Sequence, residues 1–181
     1  IALAKKSPGK LTVASGGNGT TGHLSAEMFK AKAGLHIVHI PYKGGSEANL
    51  ALLRGEVDMV FENVTSISSH LKGGRMTPLA VTGAARDSRL PELPTIAEMG
   101  LKKYQAVAWT GYVAPAGVDP KILDFLNAAF NKALNSPDVK QKLSSQAYEI
   151  HTGPRQDLCD MAKKERPVWA EVIRSSGAKL D

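Results

Sequence analysis

Apolar positions along the chain switch repeatedly between the spacing of a strand and the spacing of a helix. Short β-rich runs predict strands over residues 11–14, 36–40, 57–61 and 76–82. Helical spacing predicts helices in between, over residues 22–33, 46–54, 65–72 and 94–99, after a helix end at 2–6. Strands and helices in this alternating order predict an α/β fold, with a parallel-rich sheet and helices on both faces.

From residue 105 onward the pattern of predicted elements changes. A strand is predicted over 105–114, and Asp119 followed by Pro120 predicts the start of a helix that runs to Asn135. The remaining predicted elements are a helix over 137–145, a small strand over 147–151 and a helix over 155–176. Because the alternation of strand and helix stops, we place a boundary between two lobes near residues 105–109.

The composition is that of a globular chain. Of 181 residues, 43% are hydrophobic and 22% are charged, and no apolar run approaches the roughly 18 residues of a membrane helix. The formal net charge is +6, but lysines and arginines are spread along the chain, without a dense basic run interleaved with aromatics. Nucleic-acid binding is therefore not favoured, and the charge fits a general attraction for small anions at least as well.

Residues that carry metal or covalent chemistry are sparse. Cys159 is the only cysteine, and it lies inside a predicted helix without a helix start or a neighbouring histidine to activate it. No spacing of histidine, cysteine and aspartate suggests a metal site, and no convincing catalytic set emerges along the chain. We therefore expect no metal, no organic cofactor and no enzymatic activity.

The most informative segment is residues 11–24, LTVASGGNGTTGHL. A predicted strand enters a glycine-rich loop and a helix leaves it, which is where open α/β sheets bind ligands. The glycines allow backbone N–H groups to approach a ligand, and the helix start adds unpaired N–H groups and a positive dipole end. Asn18, Thr20 and Thr21 supply further donors, so the loop suits a carboxylate or a phosphate. The alternative is that Thr20 or Thr21 only caps the helix, but three preceding glycines favour the anion.

The same segment matches a second class of site. Gly17, Gly19 and Gly22 fit the G-x-G-x-x-G pattern of dinucleotide-binding proteins. That pattern expects an acidic residue at the end of the next strand, where this chain has residues 39–43, HIPYK, without a carboxylate. Because Lys43 could meet a 2′-phosphate, an NADP-dependent oxidoreductase remains an alternative.

Two further strand ends carry candidate groups. Residues 39–46, HIPYKGGS, place Gly44 and Gly45 at a helix start, and Tyr42 could stack on a ligand or hydrogen-bond to it. A plain turn fits this spacing equally well. Residues 61–63, Phe-Glu-Asn, follow the next strand. Three successive strand ends with polar residues would face one cleft, which strengthens all three interpretations together.

Taken together, these segments resemble a known family. The matching stretches are SPGKLTVASGGNGTTGHLSAEMFKAKAG, VHIPYKGGSEANLALLRGEVDMVFEN, LAVTGAARDSRLPELPTIAEMG and WTGYVAPAGVDPKILDFLNAAFNKAL. They run in the order found in the extracytoplasmic tricarboxylate-binding receptors of tripartite tricarboxylate transporters, known as the Bug or TctC family. The loops GNGTTGH and PYKGG are quite specific in combination.

The resemblance implies a two-lobed periplasmic binding protein of the type II-like fold, located in the periplasm. Residues 1–106 would be the second lobe with the ligand-binding βα loops, and residues 107–181 the returning C-terminal part of the first lobe. The family's N-terminal first-lobe segment is absent from the sequence, as are an initiating Met and a signal peptide. We therefore expect that an N-terminal part is missing, and that this chain holds half a site and binds weakly.

The resemblance also implies a function. Loops of both lobes would hold a small carboxylate, partly through ordered water, and membrane transporter subunits would recognise the closed form. The implied ligand-binding residues are Ser15, Gly17, Asn18, Gly19, Thr20, Thr21, His23, Tyr42, Gly44, Gly45, Glu62 and Asn63. Glu62 stands where the family usually has Asp, which keeps the charge but adds a methylene. The ligand would be a di- or tricarboxylate or a related organic acid. An effector-binding domain of a transcription regulator is a further alternative, because such domains can share the two-lobed fold.

Overall fold

The computed structural model describes residues 1–146 and 148–179, which form three short strands and seven helices. The strands are β1 (Thr12–Ser15), β2 (Val38–Pro41) and β3 (Met59–Val60). The helices are α1 (Ala2–Lys6), α2 (Thr21–Ala33), α3 (Gly45–Leu53), α4 (Val64–Lys72), α5 (Pro120–Leu134), α6 (Pro137–Ser145) and α7 (Gln156–Ser176). All of these elements were predicted, and their ends differ from prediction by at most two residues, as fraying ends do.

The three strands form one parallel sheet in the order β2-β1-β3, so β1 is central. Val13, 1% exposed, packs on one face with Ala4 of α1 and Ala26 of α2. Ala14, fully buried, points to the opposite face and packs with Ala48 of α3. A strand buried on both faces is typical of a parallel sheet between helices. The predicted α/β class with helices on both faces is confirmed.

The carboxyl ends of the three strands lie together at one edge of the sheet. Ser15 is paired with Pro41 across β1 and β2, and Ala14 is paired with Val60 across β1 and β3. Helices α2, α3 and α4 start shortly after these strand ends. The sheet therefore brings three helix N-termini to the same edge.

Helix α2 begins where the sequence predicts a cap. Thr20 has extended backbone angles, and its Oγ1 accepts the N–H of His23 at 3.4 Å, as the side chain of an N-cap residue does. The helix ends at Gly34, whose φ of +61° lies in the left-handed region. Thr20 is thus a capping residue, the alternative raised from the sequence.

Between α4 and α5 the chain is less regular than predicted. The strand predicted over 76–82 is reduced to one parallel bridge between Val81 and Thr95. The helix predicted over 94–99 consists mainly of turns, and the strand predicted over 105–114 is absent from the described residues. These three predictions are wrong.

These errors arose because apolar residues of this segment are buried without forming the regular hydrogen bonds of paired strands. Met76, Ile96, Tyr104 and Ala106 are buried although they belong to no strand. Apolar spacing reports which side chains are buried, whereas the backbone of this segment is satisfied by isolated bonds. One example is the N–H of Ala106, which donates to the carbonyl of Thr82 at 2.9 Å.

The small strand predicted over 147–151 is also wrong for residues 148–151, which form no strand in the described structure, while Ala147 lies outside the described residues. A strand needs a neighbour for its backbone groups. The described strands all lie before residue 61, and the compact unit that contains residues 148–151 has no described strand with which they could pair.

The chain separates into two compact units. The first unit contains residues 1–108 and the chain from Trp169 onward, and the second unit contains residues 109–168. The core of the first unit joins Met28 of α2 to Tyr104 and to Val172 of α7. The division of a longer protein into lobes at residues 1–106 and 107–181 stays a prediction, because compact units of this chain are not the same thing as lobes.

The second unit consists of α5, α6 and most of α7. Helix α5 starts at Pro120, and the Asp119 carboxylate caps it by accepting the N–H of Lys121 at 2.8 Å. The side-chain amide of Asn131 donates to the carbonyl of Gly153 at 2.8 Å and ties α5 to the approach to α7. Within the described part of the chain, none of the helices has the length and apolar character needed to cross a membrane.

Candidate anion-binding site at three helix starts

An open cavity of about 420 Å³ lies in the first unit, at the sheet edge where the strands end. Its lining comes from the β1–α2 loop, the start of α3 and the segment between β3 and α4, and comprises Gly16, Gly19, Thr20, Thr21, Gly22, Gly45, Phe61, Glu62 and Asn63. The volume is that of an ordinary small-molecule site. The three strand ends that the sequence singled out do share one cavity.

The β1–α2 loop is held by hydrogen bonds among its own residues. Ser15 Oγ accepts the N–H of Gly17 at 3.2 Å and donates to the Gly17 carbonyl at 3.1 Å, to which Thr20 Oγ1 also donates at 2.8 Å. The N–H of Gly19 donates to Nδ1 of His23 at 3.1 Å. Gly17 and Gly19 have φ of +126° and +76°, angles that L side chains rarely adopt. The N–H groups of these two glycines are therefore engaged within the loop in this conformation.

Other N–H groups at the helix starts have no acceptor in the described part of the chain. They belong to Thr21 and Gly22 at the start of α2 and to Gly45 and Ser46 at the start of α3. The first N–H groups of a helix lack an intrahelical partner and lie at the positive end of its dipole, so they favour an anion. Because Thr21, Gly22 and Gly45 line the cavity, unpaired N–H groups of two helices meet there.

Two glycines provide the space in which the loops meet. A Cβ atom on Gly16 would lie 2.7 Å from the backbone nitrogen of Gly45, and one on Gly22 would lie 2.5 Å from the carbonyl oxygen of Phe61. Both neighbours are backbone atoms, which cannot turn aside as a side-chain end can. The ligand-binding residues predicted from the sequence did not include Gly16, Gly22 and Phe61. The signal for Gly22 was available, because the third glycine of G-x-G-x-x-G serves close packing of helix on strand.

Glu62 places a carboxylate in the lining of the cavity. Its Oε1 accepts the N–H of Asn63, the N-cap residue of α4, at 2.8 Å, and its Oε2 lies 2.6 Å from the position of a Cβ on Gly45. The described lining residues include no lysine, arginine or histidine. An anion in this cavity would therefore be held by backbone N–H groups and helix dipoles, without an ion pair from the lining.

A buried polar cluster lies directly behind the loop. The rings of His23 and His39 stack with their centroids 3.9 Å apart and their planes 9° apart. His39 Nε2 lies 2.6 Å from Ser15 Oγ, and His23 Nε2 lies 3.6 Å from Glu27 Oε1. The same Glu27 oxygen is paired with Lys30 Nζ at 2.6 Å. We refer to His23, His39 and Ser15 as the loop support.

Both rings of the loop support lie in surroundings that favour the neutral form. Desolvation by burial lowers the pKa of His23; Glu27 opposes this effect and Lys30 adds to it. Desolvation also lowers the pKa of His39 to about 4, with the charge of His23 as the next cause. At neutral pH each ring is therefore uncharged, with one nitrogen that donates and one that accepts.

The cluster also has a feature that the sequence did not predict, since ligand atoms of His23, Glu27 and His39 lie within 4.8 Å of one another. Metal ligation would require these atoms to converge on one point, roughly 2.0–2.1 Å from each nitrogen for zinc. Instead, the two rings lie face to face and Glu27 is paired with the Lys30 ammonium group. We assign this cluster a supporting role for the loop and assign it no metal.

The structure brings half of the predicted ligand-binding residues to the cavity, namely Gly19, Thr20, Thr21, Gly45, Glu62 and Asn63. Of the others, Ser15, Gly17 and His23 form hydrogen bonds behind it, and Asn18 interacts with other residues of the chain. The ring of Tyr42 packs with the apolar cluster around Ala14, and Gly44 is the N-cap residue of α3. Ligand contact by any of these residues stays a prediction.

Comparison with known proteins identifies the family. Residues 1–178 match the family model TctC, described as the tripartite tricarboxylate transporter family receptor. The chain belongs to the TctC family. This membership confirms the resemblance seen in the sequence.

Individual TctC relatives support the assignment along nearly the whole chain. Protein BugT of Bordetella pertussis is 36% identical over 181 residues, which are 99% of this chain and 55% of BugT. The solved structure "R. palustris Rpa4515 with adipate" matches with a TM-score of 0.88 and 33% identity, over 98% of this chain and 59% of that chain. MatC from Rhodopseudomonas palustris with bound malate matches with a TM-score of 0.79 and 27% identity, over 95% of this chain and 60% of that chain. The TctC chain described here thus spans between 55% and 60% of the length of these proteins.

Proposed function

We propose that this protein is an extracytoplasmic solute-binding receptor that captures a small carboxylate for a tripartite tricarboxylate transporter, and that it catalyses no reaction. The observation that carries the proposal is the cavity at the sheet edge, which is lined by residues of two helix starts whose N–H groups have no acceptor among the described residues. Backbone N–H groups at a helix start bind an anion without any chemistry that would change it. Membership of a receptor family supports the same conclusion.

The ligand we propose is a small di- or tricarboxylate or a related organic acid. Two structural neighbours were solved with adipate and with malate, both of which are dicarboxylates. In our proposal, one carboxylate group accepts hydrogen bonds from Thr21 and Gly22 at α2 and from Gly45 at α3. Predicted partner loops of a second lobe, and ordered water, would contact the rest of the ligand.

We further propose that the protein acts in the periplasm and that membrane subunits of the transporter recognise its ligand-bound form. Support comes from the family, whose members serve as receptors of such transporters. Closure of two lobes over the ligand is the usual way in which binding is converted into a change of shape. The partner subunits would then recognise the changed shape.

The site is tested by removing one N–H group without disturbing the helix that carries it. Thr21 is the first residue of α2, a position where proline is well tolerated, and Thr20 before it has φ −66° and ψ 158°, as a residue before proline requires. Thr21→Pro therefore deletes one cavity N–H group while the helix is kept. We expect adipate binding to weaken about tenfold, because a hydrogen bond to a charged group is lost. Amide NMR titration of the chain with adipate measures this change.

Two variants separate the effect of the N–H group from other effects. Thr21→Ala removes the hydroxyl and keeps the N–H group, so it should weaken binding less than Thr21→Pro. Ala2→Pro places a proline at the first position of α1, outside the residues that line the cavity, and should leave the titration unchanged. Adipate-induced shifts confined to amides away from Thr21, Gly22 and Gly45 would refute the site, and NADPH binding at the loop would favour the oxidoreductase.

A second test concerns Glu62, the acid in the cavity lining. Its carboxylate repels a bound anion, so Glu62→Gln should strengthen adipate binding about threefold or more, because like charges at short range oppose binding even in water-exposed sites. Asp58→Asn, an acid of the same unit whose oxygen bonds to Thr12, serves as the matched control outside the cavity. Equal effects of the two variants would show that only net charge matters.

A further inference from the structure

The loop support accepts hydrogen bonds from two N–H groups of the β1–α2 loop. It engages the loop at two points: His23 Nδ1 accepts the N–H of Gly19 at 3.1 Å, and Ser15 Oγ binds both backbone groups of Gly17. His39 in turn binds Ser15 Oγ at 2.6 Å. The turn is therefore attached to two stacked rings, and among the described residues the N–H groups of Thr21 and Gly22 at the start of α2 remain without an acceptor.

Protonation would break this arrangement for a simple reason. Nδ1 of His23 accepts a hydrogen bond, so the neutral ring carries its proton on Nε2, which faces Glu27 Oε1 at 3.6 Å. A charged ring would carry a second proton on Nδ1, directly opposite the N–H of Gly19. Two donors cannot bond to each other, so Gly19 would have to move away from the ring.

We propose that His23, His39 and Ser15 are positioning residues for anion binding, and that the β1–α2 loop keeps its anion-binding shape only while the ring of His23 is uncharged. This inference rests on the proposed function of the cavity. The support touches the loop and lies outside the cavity lining, so it acts on the ligand through the positions of Gly17 and Gly19.

The groups that set the charge state of the rings belong to three elements. Helix α2 contributes Glu27, which favours the charged form of His23, and Lys30, which disfavours it. Strand β2 contributes His39 itself, whose ring faces that of His23, and β1 contributes the neutral hydroxyl of Ser15. Desolvation is the largest cause at both rings, and it lowers the pKa of each. Protonation therefore begins only as the pH falls below the ordinary range of histidine.

Two substitutions of His23 test the role of its Nδ1 atom. His23→Asn places an amide oxygen where Nδ1 lies and keeps an acceptor for the Gly19 N–H group, but it cannot become charged. His23→Leu keeps the bulk and removes the acceptor. Ser15→Ala, a smaller change, removes the acceptor for Gly17 and serves if His23→Leu does not fold.

Two readouts on the 181-residue chain keep the inference separate from the proposed function. The first is the Gly19 amide proton shift between pH 7.5 and pH 4, which needs no ligand. The second is the adipate dissociation constant at pH 7.5, where adipate is fully ionised. We expect the Gly19 shift to titrate in the wild type and to stay flat in His23→Asn. Adipate binding should weaken about tenfold in His23→Leu or Ser15→Ala and change less than about threefold in His23→Asn, since only the first two leave a part-buried N–H group unpaired.

The inference is overturned if His23→Asn and His23→Leu weaken adipate binding equally, or if the Gly19 shift of the wild type does not follow the pH. It is also overturned if Ser15→Ala binds adipate as well as the wild type does. If the wild type binds no adipate at pH 7.5, the proposed ligand class fails. The Gly19 titration then still decides whether the ring charge controls the loop.

Discussion

The two compact units of the chain differ in what their helices bury. In the first unit, Met28 and Tyr104 are each 2% exposed and belong to a continuous core. In the second unit, no described residue is buried, and Tyr112 and Phe125 are 77% and 71% exposed. Apolar periodicity thus predicts a helix correctly in both units, whereas burial depends on whether another element is present to cover the apolar face.

Local interactions, more than a core, hold the second unit together. Asp119 caps α5, Asn131 binds the Gly153 carbonyl, and the rings of Tyr112 and Phe130 stack 4.6 Å apart. Such contacts order a helix pair but contribute little compared with a buried core. The difference between the units therefore predicts different responses to the same kind of substitution.

Core truncation should show the largest difference. Met28→Ala removes a buried side chain of the first unit and should lower the free energy of unfolding by about 2–5 kcal/mol, whereas Phe125→Ala in the second unit should change it by less than about 0.5 kcal/mol. Urea unfolding with hydrogen exchange resolved by peptide measures both. Similar losses in the two variants would mean that the second unit buries Phe125 in solution.

A matched pair of glycines gives the next largest effect. A Cβ on Gly22 would lie 2.5 Å from a backbone carbonyl, and a Cβ on Gly153 would lie 2.5 Å from Oδ2 of Asp157, which is the mobile end of a side chain. Gly22→Ala should cost about 1–3 kcal/mol because the backbone cannot yield, whereas the Asp157 side chain can rotate away from Gly153→Ala at little cost. Chemical unfolding of both variants measures the pair, and an equal cost would show that the backbone near Phe61 adapts.

Acid should destabilise the first unit selectively. The pKa of His39 is lowered from 6.5 to about 4 in the folded chain, so the folded state binds fewer protons than the unfolded state between these values. The stability that this group contributes is therefore present above pH 6.5 and is lost as the pH falls toward 4. We expect a loss on the order of 1–2 kcal/mol, since the ring is partly exposed. His39→Gln should flatten the pH profile of peptides from the first unit, and an unchanged profile would contradict this origin.

Ion pairs should give the smallest effect. The Glu27 carboxylate is 9% exposed beside Lys30, whereas Asp124 and Arg155 are 67% and 50% exposed. Glu27→Gln should cost about 1 kcal/mol and Asp124→Asn less than about 0.5 kcal/mol, because solvent screens the exposed pair. Thermal unfolding at low and high salt tests this order. A larger salt-dependent loss of stability in Asp124→Asn than in Glu27→Gln would contradict it.

Prediction from the sequence was reliable for elements with clear apolar periodicity and with capping or turn residues at their ends. The strand, glycine-rich loop and helix around residues 11–33 were predicted to within one residue, because capping by Thr20 and the left-handed Gly34 are local features. Prediction was poor between residues 76 and 114, where buried apolar residues form turns and single bridges. There, tertiary contacts replace the regular hydrogen bonds that local patterns report.

The candidate site shows the same division. The loops at Thr20–Thr21, Gly45 and Glu62–Asn63 were predicted because glycines and polar residues at the ends of parallel strands share one edge. Gly22 and Phe61 were missed as lining residues because their roles depend on how closely the start of α2 approaches the backbone of Phe61. The stacking of His23 on His39 was missed as well, since it joins residues of two different elements.

The sequence was sufficient to identify the family, the order of the strands and helices along residues 1–72, and the three loops at which an anion would be sought. Which N–H groups of those loops remain available depends on the packing of the folded chain. Chain connectivity places the glycines of residues 16–22 at a helix start, but whether each N–H group faces the cavity depends on its acceptor. Gly17 and Gly19 are engaged because Ser15 and His23 lie within hydrogen-bond distance, while Thr21 and Gly22 have no such neighbour among the described residues.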